Sequence, residues 1–238
     1  MRSAAQGGGN IVATNLVLYL DAMNPLSYGG SGTTWKDLTL NRNDFTLYNN
    51  PTFANNGIYF NGTNQYAQCV NTTGGNFGSD SFTLEYVLNI TTGSQAYSTI
   101  IAKRSSTFYG TGLPGYYYRY GTSGSIGSGV FQVYDTLTPN NNYIPNPGIF
   151  NKKIHITHRV VWTGTSVAKS LYENGVFVTS RTSTNPGTNN LDNSQPMRLM
   201  YGNGYAQGTL HIIRAYNKAL TPDEITRNYN ATKDRFGI

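Results

Sequence analysis

Phe108-Tyr109-Gly110-Thr111-Gly112-Leu113-Pro114-Gly115-Tyr116-Tyr117-Tyr118-Arg119-Tyr120 combines rigid rings, glycines and an arginine in one stretch of a 238-residue chain. Tyr and Arg bury large area with few rotors to freeze, so sugar-stacking clefts and protein–protein contact centres both use them. Alternation predicts that Tyr116, Tyr118 and Tyr120 share one strand face and fill a core. Tyr109, Tyr117 and Arg119 are then the candidate contact residues, with Tyr109 and Tyr117 expected to be exposed. The carboxylates offer less chemistry. Glycoside hydrolysis ordinarily needs two carboxyl groups flanking the bond, roughly 5 to 9 Å apart. The chain has 11 acidic residues, and the adjacent pair Asp223 and Glu224 is accounted for by a helix start. Glu85 is the one carboxylate inside a strong strand pattern, and Glu173 lies beside an Asn-Gly turn where solvent reaches it. No catalytic residue is therefore predicted.

Metal and thiol chemistry are equally thin. His155 and His158 are three apart in an extended segment and so face opposite sides, while His211 stands alone. Cys69, the single cysteine, lies in Tyr66-Ala67-Gln68-Cys69-Val70 and reads as a small strand hydrophobe; no internal disulfide can form. The net charge is +6 and the pI about 9.3, yet only Lys103-Arg104 and Lys152-Lys153 are adjacent basic pairs. Without a basic stripe, nucleic-acid binding is not expected. The mild positive charge suits docking on an acidic surface, either a capsid or an anionic polysaccharide.

The elements that position these residues read as strands. Twenty-nine Thr, 28 Asn, 27 Gly and 19 Tyr accompany only 12% charged residues. Thr and aromatics suit a pleated surface; Asn and Gly supply turns. Strands are predicted over Ile11 to Asp21, Phe45 to Tyr48, Gly57 to Phe60, Tyr66 to Val70, Phe82 to Ile90 and Ser98 to Lys103. Further strands are predicted over Tyr116 to Tyr120, Gly129 to Tyr134, Ile154 to Thr163, Ser166 to Glu173, Val176 to Thr182, Met197 to Tyr201 and Thr209 to Tyr216. In Phe82 to Leu88 the set Phe82, Leu84, Tyr86 and Leu88 shares a face, with Thr83 and Glu85 on the other. Asn174-Gly175 between two strands is the strongest short hairpin signal. One helix is predicted: Thr221 caps it, Pro222 occupies its first turn, Glu224 closes a capping box, and it is expected to end near Asn230.

Residues 1 to 10 form a Gly-rich arm expected to be flexible, followed by a single domain over 11 to 238. The arm has no apolar core of signal-peptide length and no later run is long enough for a membrane helix, so synthesis in a cytoplasm is expected. The Asn-x-Ser/Thr sites at Asn61, Asn71, Asn89 and Asn230 are then chance in an Asn- and Thr-rich chain.

Several motifs together resemble a known family. Leu16-Val17-Leu18-Tyr19-Leu20-Asp21-Ala22, Trp35-Lys36-Asp37-Leu38 and Gly57-Ile58-Tyr59-Phe60-Asn61-Gly62-Thr63-Asn64-Gln65-Tyr66 resemble the opening of a laminin-G-like, concanavalin A-like jelly roll. Leu171-Tyr172-Glu173-Asn174-Gly175-Val176 resembles its hairpin. Ile213-Arg214-Ala215-Tyr216-Asn217-Lys218-Ala219-Leu220-Thr221-Pro222-Asp223-Glu224-Ile225 resembles its closing signature. The resemblance implies an all-β fold of two antiparallel sheets with one short C-terminal helix. Family glucanases carry Glu-x-Asp-x-(x)-Glu on one strand, which this chain lacks. Family calcium sites often have acids in the closing strand where Leu210-His211-Ile212-Ile213 stands here. Asp21 matches the opening motif and is the weak metal candidate; a turn-tying role is the plainer expectation, and no cofactor, calcium included, is expected.

The short opening motif, the Asn/Gly/Thr-rich body and the ending Arg235-Phe236-Gly237-Ile238 are similar to domains of tailed-phage structural proteins. That resemblance implies a non-catalytic virion module, a capsid decoration or fibre-associated protein, with other virion proteins as partners and host-glycan adhesion as an added role. The alternative is a free-standing carbohydrate-binding, lectin-like domain. Neither reading calls for nucleic acid or membrane, and either is compatible with a homo-oligomer.

Overall fold

A computed structural model describes residues 10–71, 73–91, 97–104, 114–122, 125–134, 143–184 and 190–238. Among these residues the first strands are β1 (Leu16–Asp21), β2 (Thr34–Trp35), β3 (Phe45–Tyr48), β4 (Thr52–Ala54), β5 (Gly57–Asn61) and β6 (Tyr66–Cys69). The middle strands are β7 (Phe82–Ile90), β8 (Ser98–Lys103), β9 (Gly115–Thr122), β10 (Ser125–Tyr134) and β11 (Tyr143–Pro147). Then follow β12 (Lys153–Trp162), β13 (Ser166–Glu173), β14 (Val176–Thr184), β15 (Arg198–Leu199), β16 (Gly204–Tyr205), β17 (Gln207–Tyr216) and helix α1 (Pro222–Phe236).

The strands form two sheets packed face to face. Sheet A runs β14-β13-β12-β7-β17-β5-β4, and β1 joins the same edge of β17 beyond β5. Sheet B runs β11-β10-β9-β8-β15-β6-β3-β2, with β16 added to β8. Every pairing is antiparallel except β16 with β8. Alternation decides which side chains meet between the sheets. Phe82, Leu84, Tyr86 and Leu88 enter the shared core with Tyr116, Tyr118, Tyr120, Phe131 and Val133. The predicted inward face of Tyr116, Tyr118 and Tyr120 is therefore found. Asparagines make the corners: Asn55 and Asn56 join β4 to β5, and Asn174 and Gly175 join β13 to β14, all at positive φ. Positive φ at both central residues is the geometry whose twist matches two paired strands, and Asn and Gly tolerate it best.

The helix differs from expectation in length. Its start is as read: Thr221 Oγ1 accepts from Glu224 N, the Glu224 carboxylate accepts from Thr221 N, and Pro222 sits in the first turn. It runs past Asn230 to Phe236 and stops at Gly237, which adopts φ 65°. The inner stripe Ile225, Asn228, Thr232 and Phe236 is buried against the outer face of sheet A. Two of those four residues are polar, so the stripe is not apparent as an apolar period. Ile11 and Val12 also cover this face as irregular chain rather than as the predicted start of β1.

Candidate functional site

The outer face of sheet B carries half-buried tyrosines instead of a covering helix. On β3, Phe45 and Leu47 turn into the core, which leaves Thr46 and Tyr48 outside. On β6, Ala67 and Cys69 turn in and leave Tyr66 and Gln68 outside. Tyr48 and Tyr66 are register partners, and their rings stack with centroids 4.5 Å apart and planes 5° from parallel. Tyr201 and Tyr205 form a second stack at 4.6 Å. The Gly202-Asn203-Gly204 turn between them makes that stack possible. A Cβ on Gly202 would lie 2.5 Å from Thr99 Oγ1, so only glycine lets the turn lie down on β8. Tyr66 links the two stacks, 5.2 Å from Tyr201 and 6.4 Å from Tyr205. The result is a ladder of four rings. Burial and neighbouring tyrosines raise the pKa of the Tyr66 and Tyr205 hydroxyls above the ordinary value, so the rings are neutral at physiological pH.

The face continues toward the stretch singled out from the sequence. Register sets Gln68, Arg198, Ala102, Tyr117 and Gln132 in one transverse row. Three interstrand steps separate Gln68 from Tyr117, roughly 14 Å. Arg119 is half-buried, with its guanidinium 4.8 Å from the ring centres of both Tyr97 and Tyr117. Tyr117 is fully buried, which corrects the expectation that it is exposed. Ala102 on the neighbouring strand packs against it, Arg119 lies over its ring, and its hydroxyl donates to Gln132 Oε1 at 2.5 Å. Tyr109 lies outside the described residues. Tyr48, Tyr66, Tyr201 and Tyr205 were not anticipated as site residues. Alternation within Phe45-Thr46-Leu47-Tyr48 and Tyr66-Ala67-Gln68-Cys69 carried the signal for two of them.

The acids are organised differently. None of the nine strands of sheet B contains Asp or Glu. Glu85, on the outer face of sheet A, is fully buried beneath α1. Its Oε2 accepts from Arg214 Nη1 at 3.1 Å and from Asn228 Nδ2 at 2.9 Å. Burial pushes the carboxyl up, against the pull of Arg214 and Asn228. Arg214 also donates to Thr232 Oγ1 at 2.6 Å, and Asn228 donates to the Tyr216 hydroxyl. These bonds tie the helix to β7 and β17. Glu173 is partly buried, 4.0 Å from Lys152.

Asp21 is fully engaged. Its oxygens accept from Arg235 at 2.8 and 3.1 Å, from the Tyr19 hydroxyl at 3.0 Å and from Met23 N at 3.1 Å. It ties down the turn after β1, as expected, and it also clamps the last turn of α1. The histidines face opposite ways: His155 Nε2 lies 3.8 Å from Glu85, while the His158 ring stacks on Phe131 at 4.2 Å inside the core. Burial lowers both to a pKa of about 3. Cys69 is buried and its thiol is pushed up to about 11, so it packs as a strand hydrophobe. Lys103 and Arg104 are buried too; the Lys103 ammonium donates to Asn193 O at 2.9 Å and to Gln195 O, and burial lowers it to about 8. That adjacent basic pair is not a surface for phosphates.

Comparisons with known proteins place this architecture. Trypanosoma rangeli sialidase, in a complex with 2,3-difluorosialic acid, superimposes with a TM-score of 0.67 at 17% identity, covering 99% of this chain and 36% of the sialidase chain. This chain thus spans about a third of that protein. The receptor-binding domain of botulinum neurotoxin type G gives 0.67 at 13% identity, covering 91% of this chain and 51% of that one. Domain 4 of AbnA, an extracellular arabinanase from Geobacillus stearothermophilus solved with arabinotriose, gives 0.61 at 14% identity, covering 89% and 97%. At these identities the likeness is one of fold. No curated protein matches by sequence. The family described as concanavalin A-like lectin/glucanases superfamily matches residues 58–226, more than half of the chain, and this protein belongs to it.

Proposed function

We propose that this chain is a non-catalytic carbohydrate-binding module that holds a sugar chain against the outer face of sheet B. One observation carries the reading: four half-exposed tyrosine rings form a continuous ladder on that face. Stacked rings present rigid apolar area at little entropic cost, while their hydroxyls remain available to sugar hydroxyls. The absence of catalysis is supported by the carboxylates. The strands of sheet B hold none, and Glu85 and Asp21 are engaged in buried structural contacts. Two similar folds lend support by class, one named for receptor binding and one solved with arabinotriose.

The finer setting, a tailed-phage particle on which the module contacts capsid or fibre proteins, rests on the sequence resemblance. In that setting the platform serves adhesion to host glycans. Localisation on purified particles by immuno-electron microscopy addresses it.

The binding test is a glycan screen of the full chain, followed by titration of the best ligand with Tyr66→Ala and Tyr205→Ala. Truncating an aromatic hot spot at a contact centre costs about 2 kcal/mol or more, so each variant is expected to weaken binding about thirtyfold or more. Glycan affinity untouched by both substitutions overturns the proposed surface. Turnover of a glycan, lost on Glu85→Gln, overturns the non-catalytic assignment.

A further inference from the structure

The tyrosine ladder has a cation at its edge. Arg198 is half-buried on β15, in register with Gln68 on one side and Ala102 on the other. Its Nε donates to Gln68 Oε1 at 3.2 Å. Gln68 therefore holds one edge of the guanidinium, while Nη1 and Nη2 form no hydrogen bond or ion pair with the described residues. Other arginines are committed: Arg214 bonds Glu85 at 3.1 Å, Arg235 bonds Asp21 at 2.8 Å, and Arg159 Nε bonds Leu220 O at 2.7 Å. The charge of Arg198 reaches Tyr66, where it opposes the upward pull of burial on the hydroxyl. No Asp or Glu occurs on any strand of sheet B to neutralise it.

We infer that this face selects glycans bearing a carboxylate, which Arg198 receives on its Nη1–Nη2 edge while a neighbouring sugar ring stacks on Tyr66. The inference rests on the carbohydrate-binding reading and narrows its ligand class. A planar carboxylate offers two oxygens to two parallel N–H groups, a match that a guanidinium makes and an ammonium does not. Gln68 fixes the plane of the guanidinium beforehand, so less freedom is lost when the acid docks. Because the pair forms at a half-exposed site, its contribution is modest and sensitive to salt.

The test is calorimetric titration of the full chain with trigalacturonate, its methyl ester and a sulfated neutral trisaccharide. Trigalacturonate is expected to bind about twofold to fivefold tighter than its ester at low salt. That ratio should shrink toward one as salt rises from about 0.01 M to about 1 M, where the Debye length falls from ~30 Å to ~3 Å. Arg198→Gln should remove the ratio and Arg198→Lys should restore part of it. Tyr66→Ala should weaken acid and ester together and keep the ratio, which separates the charge from the stacking surface. Equal binding of acid and ester by the unaltered chain overturns the inference and leaves the broader reading standing. Equal binding of the sulfated sugar and trigalacturonate overturns the carboxylate assignment in favour of anions in general. Binding of none of the three overturns the inference, whatever neutral sugar the screen finds.

Discussion

Replacing Arg214 by Met removes one half of a fully buried ion pair, and the size of the effect follows from what is left behind. The guanidinium donates to Glu85 Oε2 at 3.1 Å and to Thr232 Oγ1 at 2.6 Å, and it lies 5.5 Å over the Tyr19 ring. Without it, Glu85 keeps Asn228 Nδ2 at 2.9 Å as its remaining side-chain donor. A buried charge that loses its partner costs about 3 to 5 kcal/mol. For a chain of this length each kcal/mol moves the thermal midpoint by about 2 to 4 °C, so a fall of roughly 6 to 20 °C is expected. The deficit should also depend on pH. Burial already raises the Glu85 carboxyl above its ordinary value of 4.5, and loss of Arg214 removes an opposing pull. A carboxyl whose pKa is higher folded than unfolded is neutral in both states at low pH. Stability then declines as pH rises past 4.5 and levels off above the folded value. Denaturant unfolding of the variant at several pH values between 4 and 8 reads this directly. Glu85→Leu combined with Arg214→Met should recover a large part of the loss, because no charge is then stranded. A loss under about 1 kcal/mol at pH 7, or a deficit that does not change with pH, would refute the account of this pair.

Three further outcomes are expected. The histidines are buried and neutral, with His155 and His158 at a pKa of about 3 and His211 at about 4, against 6.5 unfolded. The unfolded chain takes up protons first, so each costs about 2 kcal/mol of stability between pH 6.5 and pH 5. Urea midpoints should fall over that window and fall less in His158→Phe; a flat profile contradicts the burial. Truncation after Asn230 removes Thr232, Arg235 and Phe236 from their contacts and should cost at least about 3 kcal/mol in urea unfolding, whereas an unchanged midpoint would mean the last turns of α1 carry no load. Because Asp21 has both oxygens engaged by Arg235, excess calcium should leave the thermal midpoint where EDTA leaves it. A rise equivalent to about 2.7 kcal/mol, the value at a hundred times the dissociation constant, would reveal a site.

Much of this fold is readable from local pattern because its local rules agree with one another. Phe82 to Ile90 alternates cleanly, Asn174-Gly175 has the φ values its hairpin needs, and the Thr221 capping box forms as the residue types predict. The departures occur where packing outvotes pattern. Ile11 and Val12 look like the start of a strand, yet they cover sheet A beside the helix. Strands β2 and β16, of two residues each, are too short to generate a period, and they form because a neighbouring strand offers a free edge; β15 is found inside the predicted Met197 to Tyr201 segment but shortened to Arg198–Leu199. The helix reaches Phe236 because Asn228 and Thr232 are inner-face residues despite being polar. Asn228 bonds Glu85 at a separation of 143 positions and Thr232 bonds Arg214 at a separation of 18, both beyond the reach of a helical turn.

The site resists sequence reading for a different reason. Tyr116, Tyr117 and Tyr118 are adjacent and conspicuous, but adjacency on a strand sends neighbours to opposite faces, and here both faces are buried at that point. The ladder takes single tyrosines from four places, Tyr48, Tyr66, Tyr201 and Tyr205, each unremarkable among 19 in the chain. What unites them is register: Tyr48 opposite Tyr66 across one antiparallel pair, and Tyr201 folded onto Tyr205 by a glycine turn that rests on Thr99. Register is set by long-range strand pairing, which composition does not encode. The same logic isolates Arg198. Beside Met197 and Leu199, both buried, it can only point outward, and its neighbours on that face are Gln68 and the ladder rather than an acid. A chain that places its strand carboxylates Asp21, Glu85 and Glu173 all on sheet A, and an arginine beside stacked rings on sheet B, has separated the acids that hold the fold from the cation that the proposed reading assigns to a ligand.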